Sequence, residues 1–340
     1  MKTSKYKVGI IGCGKIFIRH YESIMSNSDF ELVAVCDIDD GKLIDVCNMH
    51  NLKGYYDYKK MITETSVNFV VIATPNSLHT SQAVFCLSNG CDVLIEKPAT
   101  LDPLEINLIS DTAASFNKKA YCVLQVRLNP EIQVLKKLLD NKKLGKLRGV
   151  NLIQRWQRPI SYFYDWRGTA LVGGGTLHEC GIHYIDILCY LFGKPKVVSS
   201  KTYNTKHFGI SIEDTTYSIL DYGDHGGNLE VTISSEPTNL ECSISLMTDQ
   251  GYIKIGGKAL NEVKEIKFLS PELEAEIKSE FDKMTNKIDP NSYGQYAGSC
   301  PNHPELYKNL DSFDLKQTYN VLKLIDEIYE CCDRKYYTKS

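Results

Sequence analysis

Two short runs far apart in the chain, Ile95-Glu96-Lys97-Pro98 and Gly173-Gly174-Gly175-Thr176-Leu177-His178-Glu179-Cys180-Gly181-Ile182-His183-Tyr184-Ile185-Asp186, supply an amine and an imidazole. Lys97 and His183 could act on one alcohol, the imidazole taking the proton while the ammonium polarises the oxygen. Glu179, His183 and Asp186 are spaced i, i+4, i+7 on a helix expected from Thr176 to about Phe192, which puts all three on one face. A carboxylate one turn before an imidazole can orient it and hold its tautomer. Metal binding is the competing use of this pair. Glu179 and His183 offer only two ligands and no second cluster at metal spacing is visible, so no metal is expected.

The elements that must position these groups begin with Val8-Gly9-Ile10-Ile11-Gly12-Cys13-Gly14, which reads as a strand running into a nucleotide-binding turn. Gly12 and Gly14, with Lys15 and Ile16, let the backbone approach a pyrophosphate, which then sits at the N-terminus of a helix through Met25. Phe17 stands where the third small residue of such a turn is usual, so helix packing must adjust. Apolar strands recur at Lys7 to Ile11, Leu32 to Cys36, Phe69 to Ala73, Val93 to Ile95 and Tyr121 to Leu124, with helical patterns between them. Buried strands alternating with helices imply a doubly wound parallel sheet, a Rossmann domain over residues 1–125. Asp37, 23 residues past Gly14, closes the second strand. It can take the adenosine ribose hydroxyls and repel an extra phosphate, or cap a helix with Asp39 and Asp40; the ribose role is preferred, and with it NAD over NADP. Two further strand ends, Ala73-Thr74-Pro75-Asn76-Ser77-Leu78-His79 and Glu96-Lys97-Pro98, point to the same carboxyl edge of the sheet. There Thr74, Pro75, Asn76, His79, Glu96 and Lys97 join the cofactor-binding set, although Asn76 could instead cap the next helix and Lys97 could simply be solvated.

Residues 126–340 switch to strands, at Gly149 to Trp156, Val197 to Asn204, Thr215 to Asp221, Asn228 to Ser235, Glu241 to Met247 and Gly251 to Ile255. Without alternating helices they predict an α+β domain with a largely antiparallel open sheet. Its uncovered face would be buried in a homodimer or homotetramer. A last helix carries Leu315, Tyr319, Leu322, Ile325 and Tyr329 at packing intervals. At 340 residues and a net charge of -3 the composition is that of a globular protein of two domains. A basic band from Lys118 to Arg158 reads mainly as a solvated helix face, so no nucleic-acid partner is expected. Twelve cysteines without a C-x-x-C pair read as reduced and cytoplasmic. A charged start and no apolar run of about 18 residues predict neither signal peptide nor membrane span.

Taken together, these motifs resemble the Gfo/Idh/MocA oxidoreductases, relatives of glucose-fructose oxidoreductase and inositol dehydrogenase, over nearly the whole chain. The resemblance implies that Lys97 and His183 flank the sugar carbon facing a nicotinamide. Many members carry an aspartate where this chain has Glu179, which keeps the carboxylate and extends its reach by one methylene. The stretch Arg158-Pro159-Ile160-Ser161-Tyr162-Phe163-Tyr164-Asp165-Trp166-Arg167-Gly168-Thr169 is most similar to bacterial enzymes that oxidise C3 of UDP-N-acetylglucosaminuronic acid for surface polysaccharides. Arg155, Arg158 and Arg167 could fork onto a diphosphate or carboxylate, and Tyr162, Tyr164 and Trp166 could stack on sugar or base, or be core. A dehydrogenase of a free cyclitol or aldose, and a regulator that binds NAD(H) without turnover, are the alternatives.

Overall fold

The apolar runs of the N-terminal third become strands β1 (Tyr6–Ile11), β2 (Phe30–Cys36), β3 (Lys53–Tyr55), β4 (Phe69–Ile72), β5 (Asp92–Ile95) and β6 (Ala120–Cys122) in a computed structural model that describes residues 6–285 and 302–332. Every pairing is parallel, and the order β3-β2-β1-β4-β5-β6 places the reversal of winding between β1 and β4. The predicted doubly wound domain is therefore present, with ligand space expected outside the carboxyl ends at that reversal. Helices α1 (Phe17–Met25), α2 (Asp40–His50), α3 (Tyr58–Glu64), α4 (His79–Ser88) and α5 (Pro103–Ser115) connect the strands. Asp39, Asp57 and Asp102 start α2, α3 and α5 by accepting backbone N–H groups of Lys42, Lys59 and Leu104 at 3.1, 2.8 and 2.8 Å. Three-residue β3 contains Gly54 and gave no apolar signal.

The second sheet has seven strands, β7 (Leu147–Arg155), β8 (Lys196–Tyr203), β9 (Thr215–Asp221), β10 (Gly226–Thr232), β11 (Glu241–Thr248), β12 (Gly251–Gly256) and β13 (Glu262–Phe268), in the order β13-β12-β11-β7-β10-β9-β8. All pairings are antiparallel except β7 with β10, as a largely antiparallel sheet requires. Strand β13 reads Glu-Val-Lys-Glu-Ile-Lys-Phe and was hidden by the charges that suit a sheet edge. Around the sheet lie α6 (Pro130–Asp140), the short α7 (Ala170–Gly173), α8 (Ile182–Phe192) and α9 (Pro271–Thr285). Part of the basic band on α6 and the turn after it is neutralised by α9: Lys137 pairs with Glu280 at 2.6 Å and Lys143 with Glu276.

Helix α10 (His303–Lys308) and two 3-10 turns, Leu310–Phe313 and Leu315–Thr318, return to the first unit before α11 (Tyr319–Cys331) rejoins the second. Tyr307 lies edge-on to Phe30 at 5.2 Å, and Asp314 bridges to Tyr121 beside the β6 edge. Among the described residues the two compact units are 6–123 with 303–319, and 124–285 with 302 and 320–332. The expected division put the returning segment in the second domain. Its side chains pack in the first.

Candidate functional site

In the first unit the glycine turn is built by close approach. Gly12 has φ +106°, and a Cβ there would lie 2.3 Å from the Ala73 carbonyl oxygen at the end of β4. Around Gly14 there is open space, which a ligand phosphate can enter against bare backbone. Helix α1 follows with no side-chain cap at Ile16 and no acid in its first turn, so its N-terminal N–H groups and positive dipole end suit an anion. Lys15 is exposed beside them. Buried Phe17 makes the expected adjustment by packing on Tyr21 and on His50 of α2, with ring centroids 6.0 and 5.8 Å away.

Asp37 reaches back to this turn. Its Oδ2 accepts the Cys13 N–H at 2.7 Å and its Oδ1 accepts the Asp39 N–H at 2.9 Å, while the cap of α2 is Asp39. The capping alternative for Asp37 is thus taken by its neighbour. Its carboxylate oxygens keep lone pairs for two hydroxyls. A dinucleotide fits these residues: an open glycine for the phosphates, an uncapped helix end behind it, and an acid at the next strand.

The two turns along the same edge are tied by His79. Its Nδ1 lies 2.9 Å from the Pro98 oxygen and its Nε2 2.9 Å from the Thr74 oxygen. Burial pushes this imidazole below its ordinary pKa, so the neutral ring has one N–H to share between two carbonyls. His79 is a brace inside the predicted cofactor edge. Thr74 donates to Gln82 at 2.6 Å. After Pro75, buried Asn76 opens a 3-10 turn and does not cap α4. The Glu96 carboxylate faces inward, 3.0 Å from His20 Nε2, and accepts the Lys97 N–H at 3.1 Å. Lys97 itself is half-buried at the carboxyl end of β5.

In the second unit the expected helix from Thr176 to Phe192 is divided. Leu177–Gly181 form a π turn before α8, so Glu179 and His183 are not related by an ordinary α-helical step of four. The sequence around Gly175 explains the wider turn. A Cβ on Gly175 would lie 2.1 Å from the Tyr329 hydroxyl, and that hydroxyl accepts the Leu177 N–H at 3.1 Å while donating to Glu213 at 2.6 Å. Backbone that would bond within an α-helix is drawn onto α11.

Glu179 Oε1 accepts from Tyr162 at 2.7 Å and from Arg167 Nε at 3.3 Å. Burial, with the neighbouring Glu179 charge, raises the Tyr162 phenol well above its usual range, so it stays a donor. Burial works against the Arg167 charge, yet Glu179 and Asp165 hold its pKa above the ordinary value. Its guanidinium also covers the Trp166 ring at 4.4 Å, and Arg158 lies over Trp156 at 4.5 Å and Tyr162 at 5.8 Å. Phe163, Ala170, Cys180, Ile212 and Ile233 form the buried cluster that fastens this loop to the π turn. Tyr162, Arg167, Trp166, Arg158 and Glu179 are therefore gathered in one place. Arg155 is not part of it: its guanidinium forks onto Glu230 at 2.6 and 2.7 Å and reaches Glu241 at 3.3 Å. Tyr164 is 75 % exposed.

Arg127, Glu213 and Tyr329, to which the spacing gave no role at the site, fix the elements that carry half-buried His183. Asp186, three residues on, is clasped by Arg127 through contacts of 2.8 and 2.5 Å, both side chains being buried. Buried Glu213 and Tyr329 anchor the π turn. An arginine interrupting apolar sequence at 127, and an acid on the apolar face of α8, were the only local signs.

Comparison with known proteins agrees with this geometry. Residues 6–124 match the oxidoreductase family with an NAD-binding Rossmann fold, Gfo/Idh/MocA, and residues 132–254 match the C-terminal domain of that family. The WlbA dehydrogenase of Chromobacterium violaceum, solved with NADH and UDP-GlcNAcA, is 26% identical with TM-score 0.87, over 98% of this chain and 95% of that one. Its counterpart from Bordetella pertussis, solved with the same ligands, is 25% identical with TM-score 0.86, over 98% and 97%. The D-glucoside 3-dehydrogenase of Escherichia coli is 25% identical over 66% of this chain and 69% of that protein. The glycine turn, the Glu-Lys-Pro strand end and the Gly-Ile-His helix start, each held as described, are those of a chain that belongs to the Gfo/Idh/MocA oxidoreductase family.

Proposed function

We propose that the protein is an NAD-dependent dehydrogenase that oxidises a secondary hydroxyl of a sugar, with C3 of a nucleotide-linked amino sugar acid such as UDP-N-acetylglucosaminuronate as its substrate. The observation that carries the substrate class is the group of Arg158, Arg167, Tyr162 and Trp166 around Glu179, cationic planes lying on aromatic rings just before the helix of His183. Such planes suit a uracil, a pyranose face and an anionic group together. Arg155, neutralised by Glu230, drops out of the clamp. Among the described residues no carboxylate pairs with Arg158, which leaves its charge for the diphosphate or the uronate.

A nicotinamide dinucleotide, held by Gly12, Gly14, the α1 N-terminus and Asp37, supplies the two-electron acceptor. His183 takes the hydroxyl proton, and Lys97 polarises the oxygen as its negative charge grows. Glu179, shared between Tyr162 and Arg167, acts by positioning. A placed proton acceptor is worth about 100-fold to 10,000-fold. Lys97→Ala and His183→Ala are each expected to lose most of kcat, followed at the nicotinamide absorbance, while NAD affinity is kept. Full activity in either removes that residue from the chemistry. The similarity to the D-glucoside 3-dehydrogenase favours a second reading, a free sugar substrate. Competition separates the two, because millimolar UDP inhibits only an enzyme that binds the nucleotide. Outward-facing Val198, Tyr203, Tyr217 and Ile219, exposed by 45 to 60 %, support burial of the β8–β9 face by a second copy; a monomeric native mass would refute it.

A further inference from the structure

We infer that His20, Glu96 and His303 form a binding site for one divalent transition-metal ion, of the zinc class, inside the first unit. The three residues come from α1, the end of β5 and the start of α10, and their ligand atoms all lie within 4.8 Å of one another. They are buried, 0, 8 and 4 % exposed. A tetrahedral ion with bonds near 2.1 Å needs ligand atoms about 3.4 Å apart. His20 Nε2 and His303 Nε2 stand 3.0 and 3.8 Å from Glu96 Oε1, which brackets that spacing.

His303 carries the argument. Among the described residues neither of its ring nitrogens has a hydrogen-bond partner, and 3.8 Å to Glu96 is too long for one. A buried imidazole with its nitrogens unused is costly, and it faces a buried carboxylate. Two imidazole nitrogens and one carboxylate oxygen are a common zinc set.

The surroundings are those of ligated histidines. Tyr307, one turn after His303, places its hydroxyl 2.9 Å from His20 Nδ1. With Nε2 on the metal, Nδ1 carries the proton and donates it to that hydroxyl, the outer contact that fixes a ligating ring. The Oε2 of Glu96 holds the Lys97 backbone N–H, so the ion would pin α1, α10 and the Lys97 turn together.

The test uses untagged full-length protein, stripped with a chelator, desalted, and given one equivalent of Zn2+ or Co2+. Bound metal is measured by mass spectrometry and the Co2+ ligand field by visible absorption. Expected are about one ion per chain, the bands of low-symmetry nitrogen and oxygen coordination, and a higher thermal midpoint with Zn2+. His303→Gln should abolish binding with its circular dichroism unchanged. Tyr307→Phe, which keeps all three ligands, should weaken it about 10- to 100-fold. Background metal in the wild-type protein, or equal binding by His303→Gln, would overturn the inference; should that variant not fold, an unaltered affinity in Tyr307→Phe does so. None of these readings depends on turnover, so they stand apart from the dehydrogenase proposal.

Discussion

Asp186→Ala is the substitution whose cost the structure sets most directly. Asp186 and Arg127 expose 1 and 6 % of their side chains and meet through two charged hydrogen bonds. With charge centres about 4 Å apart, the attraction is ~4 kcal/mol at an effective dielectric near 20. Removing the acid forfeits this and leaves a guanidinium in the interior, so a loss of about 3 to 5 kcal/mol is expected. The double variant Arg127→Met with Asp186→Leu removes both charges and should recover most of it. That recovery is incomplete, because Arg127 also lies over the Tyr190 ring at 4.9 Å. The assay is urea unfolding followed by tryptophan fluorescence. Both tryptophans of the chain, Trp156 and Trp166, belong to the unit that holds the ion pair, so the signal reports that unit alone. A loss below about 1 kcal/mol in Asp186→Ala, or a double variant no better than the single one, would refute the reasoning.

Buried His178, stacked on Tyr329, has its pKa lowered to about 3 by burial. It stays neutral in the fold while the unfolded chain protonates near 6.5, so its contribution is complete above that pH and is lost on acidification towards 3. Between pH 6.5 and 5 the second unit should lose about 2 kcal/mol through this group, and the same urea titrations of His178→Phe should show a correspondingly shallower slope. Asp37→Ala should reduce kcat/KM with NAD by about 10- to 100-fold, the value of one or two hydrogen bonds to a charged group, and narrow the preference over NADP. An unchanged ratio in initial-rate assays would take Asp37 out of ribose recognition.

Much of the fold was written in local pattern. Apolar runs of three to five residues marked five of the six parallel strands, and Asp37, Thr74 and Lys97 fell at strand ends because the period and the turns announced where each strand stopped. Long-range partnerships left no such trace. Nothing near His20 points to a residue 283 positions later, and an arginine in a strand, Arg155, looks the same whether a ligand or Glu230 neutralises it. The π turn was equally hidden, because Leu177–Gly181 has helical composition and departs from the α pitch only through Tyr329 on a distant helix. Pattern therefore located the chemistry, while tertiary bonds decided how each group is held.

The late return of 303–319 to the first unit bears on how the molecule comes into being. During synthesis the six-stranded sheet emerges first, but Phe30 and Tyr121 wait for Tyr307 and Asp314, which are translated after all seven strands of the other sheet. Nascent chains halted before residue 303 should hold an N-terminal half that is still open to proteases and chaperones, and it would close only when almost the whole message has been read.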